Sequence, residues 1–246
     1  MARDDGQSVD AARTGDANAP AKTPGDLVSD TPYAFSFRLL EPVPETPRAL
    51  LVLLHGVGGV ETQLATLGAR VRRDTLVALP RGPRSIADER FGWFRVGFTD
   101  AGPEIVEEEA EESRLKLLEF ISQLQHRHDI APRHTTVAGF SQGGILAASA
   151  ALTSPESVAA FAVLCGRILP EIEPRLGPRD ALSRLRALLV HGRDDDTLPV
   201  DWAHRADAWL ERLGVPHVLR LHGAGHEFTP AMADDFLGWL DQSPQR

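Results

Sequence analysis

The stretch Gly139-Phe-Ser-Gln-Gly143 places a serine between two glycines at an expected change of secondary structure. It follows the apolar run Thr135-Thr-Val-Ala138 and precedes the small-residue segment Gly144-Ile-Leu-Ala-Ala-Ser-Ala-Ala-Leu152. This order predicts a strand, a sharp turn and a helix, because glycines on both sides of the serine let strand and helix approach closely. We therefore expect Ser141 at the apex of the turn to be a nucleophile.

A serine hydroxyl needs a base, and the base needs an orienting carboxylate, before it can attack a substrate. Both residue types occur downstream, each just past an apolar run. His191-Gly-Arg-Asp-Asp-Asp196 ends the run Ala187-Leu-Leu-Val190, and Gly223-Ala-Gly-His226 follows Val218-Leu-Arg-Leu221. The order Ser, Asp, His along the chain is that of the α/β-hydrolase fold.

The residues alone leave the acid and the base open. Asp194, Asp195 and Asp196 are adjacent, and any of them could be presented by one turn of loop. His222 lies on the same predicted loop as His226 and is the alternative base. We expect His55 and other histidines before glycines at strand ends to bridge loop backbones without touching substrate.

Apolar runs alternate with helical patterns along most of the chain, which predicts an α/β fold with a mainly parallel sheet and helices on both faces. A half-exposed strand is expected near 33–39. The buried strands are expected at 49–54, 76–79, 136–139, 160–164 and 188–190, and the helices at 61–72, 104–126, 142–152, 201–213 and 229–240.

Over residues 33–242 the sequence resembles the phospholipase/carboxylesterase group of α/β-hydrolases, which includes the acyl-protein thioesterases. The motifs that carry the resemblance are Leu54-His-Gly-Val-Gly-Gly59, Gly139-Phe-Ser-Gln-Gly-Gly144, His191-Gly-Arg-Asp-Asp195 and Gly225-His226. The resemblance implies that Ser141 is the nucleophile, Asp195 the orienting acid and His226 the base. It also implies an oxyanion hole made by the backbone N–H groups of Val57 and Gln142.

One departure from the thioesterases points to a subgroup. Gly58-Gly-Val-Glu-Thr62 replaces the Gly-Asp-Ser or Gly-Asp-Thr that follows the His-Gly there, and this form is similar to bacterial carboxylesterases. The segment Phe91–Phe98 resembles their acyl pocket, so we predict substrate contacts from Trp93 and Phe94. Ile168 and Leu169, on a short flap near 166–176, are the other predicted pocket residues. No segment is long enough for a large lid domain.

These features predict a serine carboxylesterase for short- to medium-chain esters. A thioesterase or lysophospholipase would use the same machinery. Dienelactone-hydrolase-like chemistry is a weaker alternative because that group typically uses a cysteine nucleophile. A non-catalytic ligand receptor of this fold would be expected to lose one member of the Ser, His, Asp set.

Composition limits the remaining possibilities. A chain of 246 residues with 42% hydrophobic content fits one globular domain. The net charge of −9 argues against nucleic acid as a partner. The single cysteine, Cys165, is consistent with a cytoplasmic location. We expect a small-molecule ester as substrate, no cofactor and no metal, and we keep a homodimer as an open prediction.

Residues 1–32 are rich in Asp, Ala, Thr, Pro and Gly and have no apolar periodicity, so we predict a disordered leader followed by the α/β-hydrolase domain at 33–246. The leader has neither the basic start nor the apolar stretch of a signal peptide. No run approaches the roughly 20 apolar residues of a membrane span.

Overall fold

The computed structural model describes residues 21–29, 32–99 and 102–242. Within these ranges the strands are β1 (Thr23–Pro24), β2 (Phe37–Glu41), β3 (Ala49–Leu54), β4 (Thr75–Pro80), β5 (Arg84–Ala87), β6 (Arg90–Gly92), β7 (Val96–Thr99), β8 (Gly102–Ile105), β9 (Thr135–Phe140), β10 (Ala160–Leu164), β11 (Arg186–Gly192) and β12 (His217–His222). The α-helices are α1 (Ala65–Gly68), α2 (Glu107–His128), α3 (Gln142–Thr153), α4 (Arg179–Leu182), α5 (Asp201–Leu213) and α6 (Pro230–Asp241).

Eight strands form the central sheet in the order β1-β2-β4-β3-β9-β10-β11-β12. The pairs from β4 through β12 are parallel, and β2 joins β4 in the antiparallel direction. The remaining strands form two short hairpins, β5-β6 and β7-β8. The mainly parallel sheet expected from the sequence is thereby confirmed.

The sheet separates two apolar cores, because successive side chains of a strand point to opposite faces. In β3, Leu50, Val52 and Leu54 belong to one buried cluster, whereas Leu51 and Leu53 belong to the other. Helices cover both faces, so the central strands are buried on both sides and consist almost entirely of apolar residues. This frame fixes the carboxyl ends of the parallel strands along one edge.

Two predicted elements differ from the structure. The predicted helix at 61–72 is a 3-10 turn over Glu61–Leu64 followed by the short α1. A Cβ on Gly68 would lie 2.8 Å from Leu40 Cδ1, so Leu40 would have to shift to admit a side chain there, and a glycine also weakens a helix. The strand expected near 33–39 begins only at Phe37, and the rings of Phe35 and Phe37 both pack against Phe120.

Part of the predicted disordered leader is ordered. Residues 1–20 lie outside the described residues, but 21–29 follow the sheet edge: β1 pairs with β2, and Val28 bridges to Phe37. Lys22 Nζ donates to the carbonyl oxygen of Thr75 at 2.5 Å. The domain boundary at residue 33 was therefore wrong, because backbone pairing to an edge strand needs no apolar periodicity.

In the ranges the structure covers, no helix is both long enough and apolar enough to cross a membrane. Over the same residues, no cluster of three or more His, Cys, Asp or Glu side chains could hold a metal ion.

Candidate active site

Ser141 lies at the sharp turn between β9 and α3. Its backbone has φ 51° and ψ −116°, and residues other than glycine rarely adopt a positive φ. The N–H of Ser141 donates to the carbonyl oxygen of Leu164 at 2.8 Å. The flanking glycines allow the turn, because a Cβ on Gly139 would overlap the backbone of Gly143. The turn holds the Ser141 side chain at the carboxyl end of the sheet.

Ser141, His226 and Asp195 form a continuous chain of hydrogen bonds. His226 Nε2 lies 3.0 Å from Ser141 Oγ, and His226 Nδ1 lies 2.7 Å from Asp195 Oδ2. An ionised carboxylate can only accept, so Nδ1 carries the proton and Nε2 is left to accept from the serine hydroxyl. The three side chains come from the ends of β9, β11 and β12, as predicted from their order in the sequence.

The structure distinguishes Asp195 from its two acidic neighbours. Asp195 is 5% exposed, and its Oδ1 accepts from the backbone N–H groups of Thr197 at 3.0 Å and Leu198 at 2.7 Å. Asp194 and Asp196 are exposed. The two amide donors fix the carboxylate, so that its other oxygen faces His226.

His191 contacts the loop that carries Asp195. Its Nε2 donates to the carbonyl oxygen of Leu198 at 2.7 Å and lies 3.3 Å from Asp195 Oδ2. Burial lowers the pKa of His191, which favours the neutral ring. His191 therefore bridges the loop that carries Asp195.

His55 and His222 have other partners. His55 Nε2 accepts from the backbone N–H of Gly82 at 2.9 Å, and its Nδ1 donates to the carbonyl oxygen of Gly56 at 2.7 Å. Burial lowers the pKa of His55 as well. His222 Nε2 lies 2.9 Å from Asp235 Oδ2. Within the residues the structure describes, neither ring forms a hydrogen bond to Ser141, and His55 bridges loop backbones as expected.

The turn after β3 brings backbone amides beside Ser141. The N–H of Gly56 donates to Gln63 Oε1 at 2.8 Å, and that of Gly58 donates to the carbonyl oxygen of Phe91 at 2.8 Å. The N–H of Gly59 donates to the carbonyl oxygen of Gly56 at 3.0 Å. Among the N–H groups of Gly56, Val57, Gly58 and Gly59, only that of Val57 has no acceptor within the residues the structure describes. Val57 also lines the cavity next to Ser141.

An acidic side chain anchors the same turn. Glu61 is 3% exposed and receives hydrogen bonds from Arg38 Nε at 2.8 Å and from Arg81 Nε and Nη2 at 2.9 and 2.8 Å. These arginine hydrogen bonds outweigh the opposing effect of burial and lower the pKa of Glu61 to about 2. Sequence reasoning missed this cluster, because the three residues are far apart in the chain.

Gln142 ties the turn at Ser141 to the opposite wall of the site. It is the first residue of α3, where the backbone N–H has no partner within the helix. Its side-chain oxygen accepts from the N–H of Trp93 at 2.8 Å, and its Nε2 donates to the carbonyl oxygen of Phe94 at 2.7 Å. The segment at Trp93 and Phe94 is thereby fixed relative to the serine.

A cavity of about 170 Å³ opens beside Ser141 and His226. Its apolar wall is formed by Val57, Phe94, Val96, Ile105, Phe140, Ile145 and Leu198. A larger depression of about 1090 Å³ lies at the opposite ends of the strands, and neither Ser141 nor His226 lines it. The smaller cavity is therefore the one that a reacting group would enter.

Only one of the four predicted pocket residues lines this cavity. Phe94 does, but Trp93 is fully buried, and its Nε1 donates to the carbonyl oxygen of His55 at 2.8 Å. Ile168 and Leu169 are 5% and 3% exposed and belong to the apolar core. The segment after β10 packs on the domain and does not form a flap, so these three predictions were wrong.

Sequence reasoning also missed Arg167, a charged residue in the cavity wall. Arg167 is 5% exposed, and its guanidinium carbon lies 4.6 Å from the centre of the Trp202 ring. Burial lowers the pKa of this guanidinium, an effect that Glu171 partly opposes. The preceding Gly166 lies so close to Ser141 that a Cβ there would be 2.8 Å from its carbonyl oxygen.

The fold and the residues around Ser141 define a class, the carboxylic ester hydrolases with an α/β-hydrolase fold. A family model described as Phospholipase/Carboxylesterase matches residues 41–242, which is most of the chain. The protein therefore belongs to the phospholipase/carboxylesterase family, as its motifs indicated.

Similar proteins agree with this assignment. The chain is 24% identical to acyl-protein thioesterase 1 from Gibberella zeae over 219 residues, covering 82% of this chain and 93% of that protein. A carboxylesterase structure from Mesorhizobium loti superposes with a TM-score of 0.75 at 26% identity, covering 88% of this chain and 98% of the other. Acyl-protein thioesterase 2 from Zea mays, at 20% identity, shares the fold with a TM-score of 0.72 over 84% of this chain and 98% of its own.

Proposed function

We propose that the protein is a serine carboxylesterase that hydrolyses short- to medium-chain esters through an acyl-enzyme. Ser141 is the nucleophile, His226 the general base and acid, and Asp195 the group that orients the imidazole. The observation that carries this proposal is the position of His226, whose two ring nitrogens lie 3.0 Å from Ser141 Oγ and 2.7 Å from Asp195 Oδ2.

In the first half of the reaction, Ser141 Oγ attacks the ester carbonyl carbon while its proton moves to His226 Nε2. The carbonyl electron pair moves to the oxygen, and the backbone N–H groups of Val57 and Gln142 stabilise the negative charge. The intermediate then collapses, the carbon–oxygen bond to the alcohol breaks, and the alcohol leaves with the proton from His226. The acyl group stays on Ser141.

In the second half, His226 Nε2 removes a proton from a water molecule, and the hydroxyl attacks the acyl-enzyme. The bond to Ser141 Oγ breaks and the serine recovers its proton from His226, so that the acid is released and the enzyme is regenerated. Asp195 stays ionised and holds Nδ1–H throughout. No cofactor takes part in either half of this scheme.

The size of the cavity supports a preference for short or medium acyl chains. Its volume of about 170 Å³ lies below the roughly 300–1,000 Å³ of ordinary ligand pockets. Val57, Phe94 and Ile145 offer apolar contacts to such a chain. Long chains would have to extend beyond these walls into solvent.

The experiment is the hydrolysis of p-nitrophenyl esters of increasing acyl length by the wild type and by Ser141→Ala. We expect Ser141→Ala to lose about 10⁴- to 10⁶-fold in kcat. Ser149→Ala is the matched control, because Ser149 lies in the same helix and its hydroxyl only donates to the carbonyl oxygen of Ile145. Activity retained in Ser141→Ala would refute the nucleophile assignment.

A thioesterase is the second candidate, favoured by relatives that are named acyl-protein thioesterases. The same steps would cleave a thioester, and a lysophospholipid ester would also be chemically accessible. Matched oxygen esters and thioesters of one acyl chain separate these functions, because the two substrates differ only in the leaving group. The readout is the ratio of their kcat/KM values, which errors in the enzyme concentration do not affect. A much higher kcat/KM for the thioester would make the thioester the preferred substrate.

The assembly and the cellular location stay predictions. We propose a homodimer in the cytoplasm, which light scattering on the purified protein and fractionation of its natural cells would test. A monomer over the whole concentration range used for assays would refute the first part.

A further inference from the structure

The turn after β3 presents one backbone donor to the cavity beside Ser141. Gly56 and Val57 both line this cavity, and a Cβ on Gly56 would lie only 3.4 Å from Ser141 Cβ. Within the part of the chain that the structure describes, the N–H of Val57 is without an acceptor, whereas its neighbours in the turn each have one. This N–H is therefore available to an oxygen atom of a bound substrate.

The direction of this N–H is set at the other end of the same peptide. The carbonyl of Gly56 and the N–H of Val57 belong to one planar trans unit, so they point in opposite directions. The carbonyl oxygen of Gly56 accepts from His55 Nδ1 at 2.7 Å and from the N–H of Gly59 at 3.0 Å. The two donors hold the carbonyl, and through it they fix the direction of the Val57 N–H.

The imidazole of His55 is itself held in place. Its ring is buried, and Nε2 accepts from the backbone N–H of Gly82 at 2.9 Å, so Nδ1 carries the ring proton. Burial lowers the pKa of His55, which favours the neutral ring that accepts at one nitrogen and donates at the other. The ring centre lies 5.0 Å from that of Trp93. His55 is thus a fixed donor to the turn.

Gly56 is the point at which this turn is most able to rotate, because glycine adopts many backbone conformations. The peptide before it is held at both ends: Gln63 Oε1 accepts from the Gly56 N–H at 2.8 Å, and Trp93 Nε1 donates to the carbonyl oxygen of His55 at 2.8 Å. Rotation of the peptide after it would exchange the Val57 N–H for a carbonyl oxygen. An acceptor at that place would repel the negative charge of the reaction intermediate.

We infer that His55 is a positioning residue of the proposed reaction, assisted by Gln63, and that the two hold the peptides on either side of Gly56 so that the Val57 N–H faces the oxyanion. The inference rests on the proposed function, because it takes Ser141 as the point of attack. His55 acts through the Gly56 carbonyl and does not touch the substrate. A role in folding alone would not change the binding of an oxyanion relative to that of a neutral ligand.

Two amide replacements separate the roles of the two nitrogens of His55. The side-chain nitrogen of asparagine lies near the position of Nδ1 and can donate to Gly56, whereas the side chain of glutamine reaches the position of Nε2 and can accept from Gly82. With p-nitrophenyl butyrate, His55→Asn should stay within about 5-fold of the wild-type kcat, and His55→Gln should lose about 10- to 100-fold. KM should change little, because ground-state contacts are kept.

Two ketones that share the propyl group of this ester report on the oxyanion directly. Ser141 Oγ adds to the carbonyl carbon of trifluoromethyl propyl ketone, the hydroxyl proton moves to His226, and the carbonyl electron pair moves to the oxygen. Methyl propyl ketone is far less electrophilic and binds without this addition. His55→Gln should weaken inhibition by the trifluoromethyl ketone about 10- to 100-fold and leave that by the methyl ketone within about twofold.

Gln63 offers a second variant at an exposed position, where a replacement does not endanger folding. Gln63→Met removes the acceptor of the Gly56 N–H and should lower kcat and the affinity for the trifluoromethyl ketone together, by about 3- to 10-fold. Gln123→Met is the matched control, because Gln123 Oε1 also accepts from a backbone N–H, that of Ala34 at 2.9 Å, but does not line the cavity. This control should keep the wild-type kcat.

The outcomes separate the inference from the proposed function. If His55→Gln is as active as His55→Asn, or loses affinity for both ketones equally, the inference is overturned and the esterase function stands. If either His55 variant fails to fold by circular dichroism, Gln63→Met decides, and a wild-type kcat in that variant overturns the inference. Absence of ester hydrolysis by the wild type refutes the proposed function. Fluorine NMR of the trifluoromethyl ketone adduct in wild type and variants then decides the inference, and absence of any adduct overturns both.

Discussion

The side-chain oxygen of Gln142 accepts a hydrogen bond of 2.8 Å from the backbone N–H of Trp93. The same side chain donates to the carbonyl oxygen of Phe94 at 2.7 Å. One residue thus follows the serine directly, places its own amide at the start of α3 and fixes the segment that contributes Phe94 to the cavity. The turn at Ser141 and the cavity wall are therefore held together by one side-chain amide group.

Replacing Gln142 by leucine should destabilise the protein by about 2 to 4 kcal/mol, because the Trp93 N–H and the Phe94 carbonyl would both be buried without a partner. Gln142→Glu should cost at least as much, since its carboxylate can still accept from Trp93 but would be a buried charge facing the Phe94 carbonyl oxygen. Denaturant unfolding followed by circular dichroism measures the difference. If both Gln142 variants had the same free energy of unfolding as the wild type, these hydrogen bonds would be dispensable for stability.

The two histidines that follow β12 should behave differently when replaced by alanine. His226→Ala removes the base at Ser141 and should lower kcat by about 10⁴- to 10⁶-fold. His222→Ala removes only the ring that contacts Asp235 and should stay within a few-fold of the wild type. Steady-state hydrolysis of a p-nitrophenyl ester measures both. The reverse result would make His222 the base.

Asp195→Asn should lower kcat by about 10⁴-fold with little change in the fold, by analogy with other Ser-His-Asp enzymes. The reason is that the new side-chain amide would donate a hydrogen bond to His226 Nδ1. The ring proton would then lie on Nε2, which could no longer accept the Ser141 proton. Asp196→Asn is the matched control, because this neighbour is exposed. Comparable losses in the two variants would contradict the choice of Asp195.

Glu61 should stabilise the protein at neutral pH and lose this effect in acid. Its pKa is lowered from 4.5 to about 2 by its arginine partners, so the unfolded state binds the proton more readily. The stabilisation is therefore present above about pH 4.5 and is lost as the pH falls toward 2. At neutral pH we expect Glu61→Gln to be about 2 to 3 kcal/mol less stable than the wild type.

The free energy of unfolding of wild type and Glu61→Gln, measured between pH 7 and about pH 2.5, tests this expectation. The two curves should converge as the pH falls. Asp234→Asn is the control, because Asp234 forms an exposed ion pair with Arg70 and should change stability little at any pH. A constant difference between wild type and Glu61→Gln down to the lowest pH would show that titration of Glu61 has no part in it.

The sequence predicted those parts of the site that depend on local order. Ser141 between glycines, and an acid and a histidine after later strands, predict a shared position because parallel strands end at one edge of the sheet. The choice among Asp194, Asp195 and Asp196 came from the family resemblance. In the structure, the amides of Thr197 and Leu198 single out Asp195.

The parts that sequence reasoning missed depend on contacts between distant segments. Trp93 and Phe94 are neighbours, and which of them faces the cavity is decided by hydrogen bonds to Gln142 and to His55. Arg167 follows a strand and has the appearance of an ordinary surface arginine until Trp202 covers it. Neither contact has a local pattern in the sequence.

The pairing of β1 with β2 has a consequence for how copies of this chain meet one another. An uncovered edge strand offers unpaired N–H and carbonyl groups to a neighbouring molecule, which promotes aggregation. Thr23 and Pro24 occupy that position beside Leu40 and Glu41, and the proline presents no N–H of its own. Residues 21–29 thus cover part of the edge of β2, and we expect their removal to leave β2 open to self-association.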